Sequence, residues 1–562
     1  MDAETPTPKR PDAEALAPAD LAAILFPHIR KTQGDYEAMY APRGLPPEAI
    51  VTRFAPSPTG FMHIGGLFTA LVAERLAHQS GGVFLLRIED TDKKREVAGG
   101  LESILEALRA YGIPYDEGVA VTGESFGAYG PYFQSERAAV YQAFARELVA
   151  RGLAYPCFCA EEELAALRAR QEAGKLKPGY YGAFATCRAL CGEDIRAKID
   201  AQLPCSIRLR SPGSPNGEVC YHDLIKGRIA FPENEQDVVL IKSGGLPTYH
   251  FAHAVDDYLM RTTHVIRGDE WVSSVPVHLQ LFEVIGARPP VYAHLAPIMK
   301  LEGASKRKLS KRKDPEAAVE FYREQGFPPA AVLDYLMTLA NSDFEDWRRA
   351  HADRPYTEYE LRIERYGSAG ALFDLKKIDS ISKGVIAAMP TAEVYERLLA
   401  WARQYDPAFA ARLTTHEAMV RQVLEIDKGK RQDFARWSQA QEAIAYFFED
   451  LFGSLAYEWP TNVAAEDARA VLAGVREAFD ARDSKEVWWA KLTDAAESLR
   501  FAKDKKAFKQ NPTQYRGSIT EFTAVVRMAL TRRANTPDLY AIMQILGKER
   551  VRARLEAAVA AL

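Results

Sequence analysis

No stretch of about 18 or more consecutive apolar residues, the length a membrane-crossing helix needs, occurs in the 562-residue sequence. A membrane span is therefore not expected. The first residues are acidic and proline-rich, with no apolar segment ending in a cleavage site, so no secretory leader is expected either. Cysteine is scarce: there are six, all between Cys157 and Cys220. So few thiols in so long a chain exclude a disulfide scaffold and leave reduced thiols or a metal site. Charge of one sign is not in excess. The net charge is −4, so any surface for nucleic acid must be a local basic patch. What remains is ordinary: 47% hydrophobic and 26% charged residues, the balance of a soluble globular chain, long enough for several domains.

The informative stretch is Arg53-Phe-Ala55-Pro56-Ser57-Pro58-Thr59-Gly60-Phe-Met-His63-Ile-Gly65-Gly66. A β-prone run from Val51 to Ala55 precedes it, and an apolar helical run from Leu67 to Leu76 follows. Pro56 and Pro58 cannot continue a helix. The order is strand, tight loop, helix N-terminus. Gly65 and Gly66 let a ligand approach the backbone, and the free N–H groups of a helix start suit a phosphate. His63 can donate to the same phosphate. A loop of this composition can also be a plain connection.

A second strand, Val83 to Ile88, reads as a buried parallel strand and ends in Glu89-Asp-Thr-Asp92. Ligands in open α/β sheets sit at the carboxyl ends of strands, so Arg53 and Glu89 are expected to face one crevice. Later, Val238 to Lys242 and Thr263 to Ile266 read as strands, the latter ending in Arg267-Gly-Asp-Glu270-Trp271. Between them, Tyr249 and His253 stand four apart and share a helix face. Arg53 and Arg267 with a tyrosine hydroxyl suit a dicarboxylic substrate, since arginine presents a planar fork to carboxylate. Asp256 and Asp257 are readable as helix caps, and Gln134 to Arg137 as a cap before the helix Ala138 to Ala150.

Cys157-Phe-Cys159 and Cys187-Arg-Ala-Leu-Cys191 flank a charged helix, Glu161 to Ala173. Three such thiols can hold Zn²⁺. Reduced, unliganded thiols are the alternative. Cys205 and Cys220 read as packing residues. Lys300 to Lys313 is strongly basic, centred on Lys308-Leu309-Ser310-Lys311-Arg312. From Val385 to the end the periodicity is helical. Basic groups stand at Lys428 to Arg431, Lys503 to Lys509 and Arg532-Arg533. A solvated face is their default reading, nucleic-acid contact the functional one.

The first stretch closely resembles the "HIGH" signature of class I aminoacyl-tRNA synthetases. Its form, Arg-Phe-Ala-Pro-Ser-Pro-Thr-Gly followed by His-Ile-Gly-Gly, is similar to the bacterial-type glutamyl-tRNA synthetases. Lys308-Leu-Ser-Lys-Arg312 resembles the second signature loop, with Leu309 in place of the common Met. The two occur in the right order. The resemblance covers nearly everything after residue 50 and is weakest between Asp379 and Asn511.

The resemblance implies an α/β fold, with a Rossmann-like parallel-sheet catalytic domain, an α+β insertion and a helical C-terminal anticodon-binding half. It divides the chain into an extension (1–50), two catalytic halves (51–155 and 236–300), an acceptor-end-binding insertion (156–235), a signature-loop and stem-contact domain (301–380) and an anticodon-binding region (381–562). It implies ATP-dependent activation of L-glutamate and transfer to tRNA(Glu), with Mg²⁺ on the phosphates. His63, Lys308 and Lys311 are its catalytic residues. ATP is assigned to Pro56, Ser57, Thr59, Gly60, His63, Gly65, Gly66, Glu270, Lys308, Leu309, Ser310, Lys311 and Arg312. Glutamate is assigned to Arg53, Ala55, Ser57, Glu89, Tyr249, His253 and Arg267, although the family usually has Asn at the place of His253. Some members carry zinc where Cys157, Cys159 and Cys187 stand. Ala189 replaces an expected His, leaving Tyr181 or Cys191 as fourth ligand. A cytoplasmic monomer is expected, and charging of tRNA(Gln) is left open. Two rivals are a short paralogue that glutamylates a modified tRNA base, which lacks the helical half, and a tRNA-binding protein without catalysis.

Overall fold

The computed structural model describes residues 16–430 and 433–562. The acidic, proline-rich start of the chain, a composition for which disorder is expected, lies largely outside the described residues, as does Arg431 of the first basic group. The chain divides into two compact units. One holds Met1–Val319 and Leu336–Phe373, the other Glu320–Tyr335 and Asp374–Leu562. The segment 320–335 thus belongs with the C-terminal half, whereas the sequence reading kept 301–380 together.

In the first unit the strands Val51–Phe54 and Val83–Leu86 pair in parallel, with Arg53 opposite Leu85. On the other side of the first strand the Thr263 N–H donates to the Val51 carbonyl at 2.9 Å. The strand His264–Gly268 follows, parallel to Val291–Leu295, with Arg267 opposite His294. Each pair is parallel, and residues at or just past the carboxyl ends, Phe54, Glu89, Arg267 and Leu295, lie on one side. The helix Ile64–Gln79 covers the sheet with a nearly continuous buried face from Leu67 to Ala77. Such a helix, apolar almost all round, belongs inside.

The insertion begins with the strand Ala154–Cys157, antiparallel to Ser206–Leu209. It continues with the hairpin Glu218–Asp223 and Gly227–Pro232. Cys220 corrects an expectation: it is exposed on that hairpin, where alternation turns it outward, and does not pack in a core.

Ahead of the first strand, the helices Pro18–Leu25 and Gln33–Met39 lie against the catalytic unit. Arg43 clamps them down, with two hydrogen bonds to Glu117 at 2.8 and 2.9 Å. The second unit is helical, apart from the short parallel pair Phe501–Ala502 and Gly517–Ser518. Its helix Thr391–Tyr405 shows why: Val394, Tyr395, Leu398, Leu399 and Ala402 form one buried stripe at helical spacing. Among the described residues no helix is long and apolar enough to cross a membrane.

Candidate active site

The signature loop leaves the first strand at Ala55 and enters the helix at His63, which caps it. The Gly66 N–H donates to His63 Nδ1 at 2.9 Å. That bond leaves Nδ1 without a proton, so the neutral ring carries its proton on Nε2. Desolvation depresses the imidazole to about 4, with Lys311 and Lys308 adding to it, although the ring edge is open to solvent in the cleft. At neutral pH His63 is therefore an uncharged donor. A Cβ on Gly65 would sit 3.1 Å from His63 Nδ1, so a side chain there would have to press the ring aside by a few tenths of an ångström.

The hairpin Met299–Glu302 and Ser305–Lys308 carries the second signature. Asp314 fastens it, accepting from Arg307 at 2.6 and 2.8 Å and from the Ser310 N–H at 2.9 Å. Lys311 reaches across and donates from Nζ to the Phe61 carbonyl in the first signature loop. Burial lowers its pKa. Lys308 Nζ stands 3.4 Å from Glu270.

These loops and the strand ends enclose a cleft of about 680 Å³. Arg53, Ala55, Pro56, Ser57, Thr59, Gly60, His63, Gly65, Gly66 and Glu89 line it. Tyr249, Arg267, Glu270, Lys308, Leu309 and Lys311 do so as well. Three singled-out residues are not on this lining. Ser310 turns its N–H to Asp314, Arg312 is exposed, and His253 is wholly buried. His253 stacks behind Tyr249, the rings 6.1 Å apart, and its Nε2 lies 3.1 Å from the Tyr292 hydroxyl. Its Nδ1 is 2.8 Å from Asp257 but off the line of a hydrogen bond. Burial pushes its pKa down to about 3. The Trp271 ring sits 4.3 Å from that of Tyr249, on the cleft.

Below the cleft lies a buried ionic network. Asp257 pairs with Arg53 at 3.2 Å and Arg87 at 2.6 Å. Asp256 pairs with Arg137 at 2.7 Å and accepts from Gln134 and the Tyr141 hydroxyl at 2.9 and 2.8 Å. Asp256 and Asp257 are therefore anchors, not helix caps. Burial alone would raise the Asp257 carboxyl, yet Arg87 and Arg53 hold it well below the usual range. Among the described residues Glu89 has Arg87, at 3.3 Å, as its one ion-pair partner, and burial pushes it up to about 7. Sequence reasoning missed Arg87, Arg137 and Gln134 as parts of the site. For Arg87 the signal was a charged residue in the otherwise apolar run Val83 to Ile88; Gln134 and Arg137, in the polar string Gln-Ser-Glu-Arg, gave no such signal.

In the insertion, the sulfurs of Cys157, Cys159 and Cys187 lie within 4.8 Å of one another. The Tyr180 hydroxyl stands 3.3 Å from Cys159 Sγ and accepts from the Cys187 N–H at 2.9 Å. Tyr181 instead donates its hydroxyl to the Lys177 carbonyl, and the exposed Cys191 thiol donates to Asp194. Neither of those two is turned to the cluster. A hydrogen bond from Cys187, with Arg208 nearby, lowers the Cys157 thiol. Three thiols and a phenol oxygen form a donor set that fits tetrahedral zinc.

The family model described as tRNA synthetases class I (E and Q), catalytic domain, matches residues 49–379. The model described as anticodon binding domain matches 393–559. The chain belongs to the class I tRNA synthetases. Within them it belongs with the glutamate–tRNA ligases. It is 49% identical over 542 residues to the glutamate–tRNA ligase of Clostridium perfringens, covering 95% of this chain and 99% of that one. It is 42% identical over 551 residues to the ligase of Sorangium cellulosum, covering 93% and 96%. A solved glutamate–tRNA ligase of Elizabethkingia meningosepticum, in complex with its amino acid, superposes with a TM-score of 0.72 at 27% identity. It covers 92% of this chain and all of that one. Synthetases of this class use ATP, and the family match spans both signature loops.

Proposed function

We propose that the cleft carries out the glutamate–tRNA ligase reaction with a defined division of labour. One wall binds the amino acid. Glu89 accepts the α-ammonium of L-glutamate, and Arg53, Arg267 and the Tyr249 hydroxyl take its carboxylates. The other wall binds ATP: the loop from Pro56 to Gly66, the free N–H groups of the helix start, and the strip Lys308 to Lys311. Asp92 and Glu270 line the same cleft and supply hard oxygen, the donor type that Mg²⁺ takes. There they would hold Mg²⁺ carried by the nucleotide, which would offset phosphate charge. The glutamate α-carboxylate attacks the α-phosphorus and pyrophosphate leaves. The terminal ribose hydroxyl of tRNA(Glu) then attacks the acyl carbon and AMP leaves. No side chain forms a covalent intermediate. Neutral His63 donates from Nε2, and Lys311 meets the charge that develops on the phosphates.

One observation carries this reading: Lys311 of the second signature reaches the backbone of the first, so both stand on one cleft. Its test is Lys311→Ala. Loss of one contact made to transition-state charge costs about 3–4 kcal/mol. Single-turnover adenylate formation should slow accordingly while glutamate binding holds. Wild-type rates would remove Lys311 from the mechanism.

Cys157, Cys159, Cys187 and the Tyr180 oxygen would hold one zinc ion, which would cross-link the insertion that meets the acceptor end. Metal analysis of chelator-washed protein should give about one Zn²⁺ per chain. A reading near zero with all thiols titratable refutes it. The chain acts as a cytoplasmic monomer. Parallel aminoacylation of tRNA(Glu) and tRNA(Gln) decides whether the second is also charged. Arg532 donates to the Gly453 carbonyl and Arg533 to Glu442. Lys428 donates to the Ile386 carbonyl, so of the basic groups Lys430 and Lys503 to Lys509 are the better candidates for anticodon-stem contact.

A further inference from the structure

The two arginines assigned to glutamate are held in different ways. Arg53 is compensated by Asp257, and so is its neighbour Arg87. Arg267 is held by neutral acceptors. Its Nε–H donates to His294 Nε2 at 3.0 Å. Its two terminal nitrogens lie 3.2 Å from His278 Nδ1, and one donates to the Trp271 carbonyl at 3.4 Å. The Tyr292 ring lies 4.8 Å away under the guanidinium.

Arginine has no acceptor and keeps its proton. Each imidazole nitrogen facing it is therefore bare. That fixes both tautomers. His294 carries its proton on Nδ1 and donates it to Asp223 at 2.6 Å. His278 carries its proton on Nε2 and donates to His250 Nδ1 at 2.9 Å. Burial keeps both rings neutral, His278 well below the usual range and His294 below it, with the Arg267 charge pushing the same way. Asp223 and Arg267 bond to opposite nitrogens of the His294 ring, and among the described residues Arg267 has no ion pair. The strand register enforces the arrangement, because Arg267 and His294 are direct partners on adjacent parallel strands. A buried guanidinium held this way keeps its charge unspent, and a substrate carboxylate completes it.

We propose that His278 and His294 are positioning residues that aim Arg267 through neutral nitrogen acceptors and leave its charge uncompensated, so that the pocket selects a carboxylate side chain over its amide. The proposal rests on the reading that Arg267 meets the glutamate carboxylate. Glutamine brings a carboxamide without the negative charge that this arginine lacks. A site built for one polar partner rejects the analogue without it.

The experiment compares His278→Gln, His278→Leu and His278→Glu with Arg267→Ala, in steady-state aminoacylation with tRNA present and folding checked by thermal melts. Gln keeps an acceptor and should hold the glutamate KM within about threefold. Leu removes the acceptor and should raise that KM about tenfold or more while the ATP KM stays put. Glu supplies the missing countercharge, and should raise the KM and also narrow the preference for glutamate over glutamine. If the variants of His278 all behave alike, the ring matters only for packing and the proposal falls. If His278→Glu fails to fold, the Gln and Leu pair decides by the same criterion. If Arg267→Ala leaves the glutamate KM unchanged, the pocket assignment itself fails, a result distinct from the other.

Discussion

The catalytic and helical units build their interiors from different materials. In the helical unit the interior is aliphatic and aromatic: Leu398, Phe409, Phe522, Val526 and Leu555 are wholly buried. Arg554 is an exception, donating to the Leu530 carbonyl and to Glu449. In the catalytic unit Arg87 and Asp256 have no exposure at all, and Arg137 and Asp257 have 1%. Buried charge is expensive and persists only where each partner is satisfied. The helical unit is stabilised by burial that tolerates adjustment. The catalytic unit spends stability on charges fixed before any substrate arrives. Preorganised charge of this kind is what a site handling a doubly charged amino acid and a triphosphate requires.

The sharpest way to break that comparison is to remove one anchor from each interior. Asp256 lies 2.7 Å from Arg137 and 3.6 Å from Arg87, so Asp256→Ala removes a partner from both and should cost about 3–5 kcal/mol in denaturant unfolding. Leu398→Ala in the helical unit should cost about 2–5 kcal/mol by transfer and cavity terms. Both groups are wholly buried, so salt should alter neither loss much. An Asp256→Ala cost under about 1 kcal/mol would show that the network is not structural.

Arg267→Ala should have a smaller effect on stability. Its acceptors are imidazoles and a carbonyl, so its removal strands no buried charge. The change in unfolding free energy should stay within about 1.5 kcal/mol. The glutamate KM should rise about tenfold to a hundredfold, with little change for ATP. If only tRNA binding weakened, Arg267 would belong to the nucleic-acid surface.

The same contrast explains what the sequence disclosed. The strand, loop and helix from Val51 to Gln79 were legible because prolines, glycines and an apolar run dictate local conformation. The helical C-terminal half followed from periodicity, whereas the α/β class was what the resemblance to the class I synthetases implied. Asp256 and Asp257 were not legible as anchors: a carboxylate at a helix end looks the same whether it caps or pairs with a distant arginine. His278 and His294 sat singly in apolar runs, and nothing local links them to Arg267. Tyr180 rather than Tyr181 faces the thiols, a choice of side-chain direction made by the turn. Segment 320–335 joins the helical unit because apolar spacing shows that a helix packs, not which neighbour it packs on.

The smallest expected effect is also the most diagnostic, because one residue should give two opposite pH trends. Burial raises the Glu89 carboxyl to about 7, and Arg87 and Arg53 only partly counter it. The folded value exceeds the unfolded one, so the free protein holds a proton there that the unfolded chain has lost. That contribution to stability is fully present below the unfolded value of 4.5 and is lost as pH rises through about 7. Glutamate binding requires the opposite state, since only the carboxylate answers the ammonium. Affinity should therefore fall on acidification, by up to about tenfold per pH unit below neutrality, and level off above it. The substrate's own ammonium and carboxylates keep their charges over that range. Glutamate titrations and denaturant melts from about pH 5.5 to 8, each run on the wild type and on Glu89→Gln, isolate the residue by difference. The Gln variant should flatten both curves and bind glutamate weakly throughout. If the wild type and Glu89→Gln share the same pH dependence of binding, the ammonium is held elsewhere and Glu89 serves only to pair with Arg87.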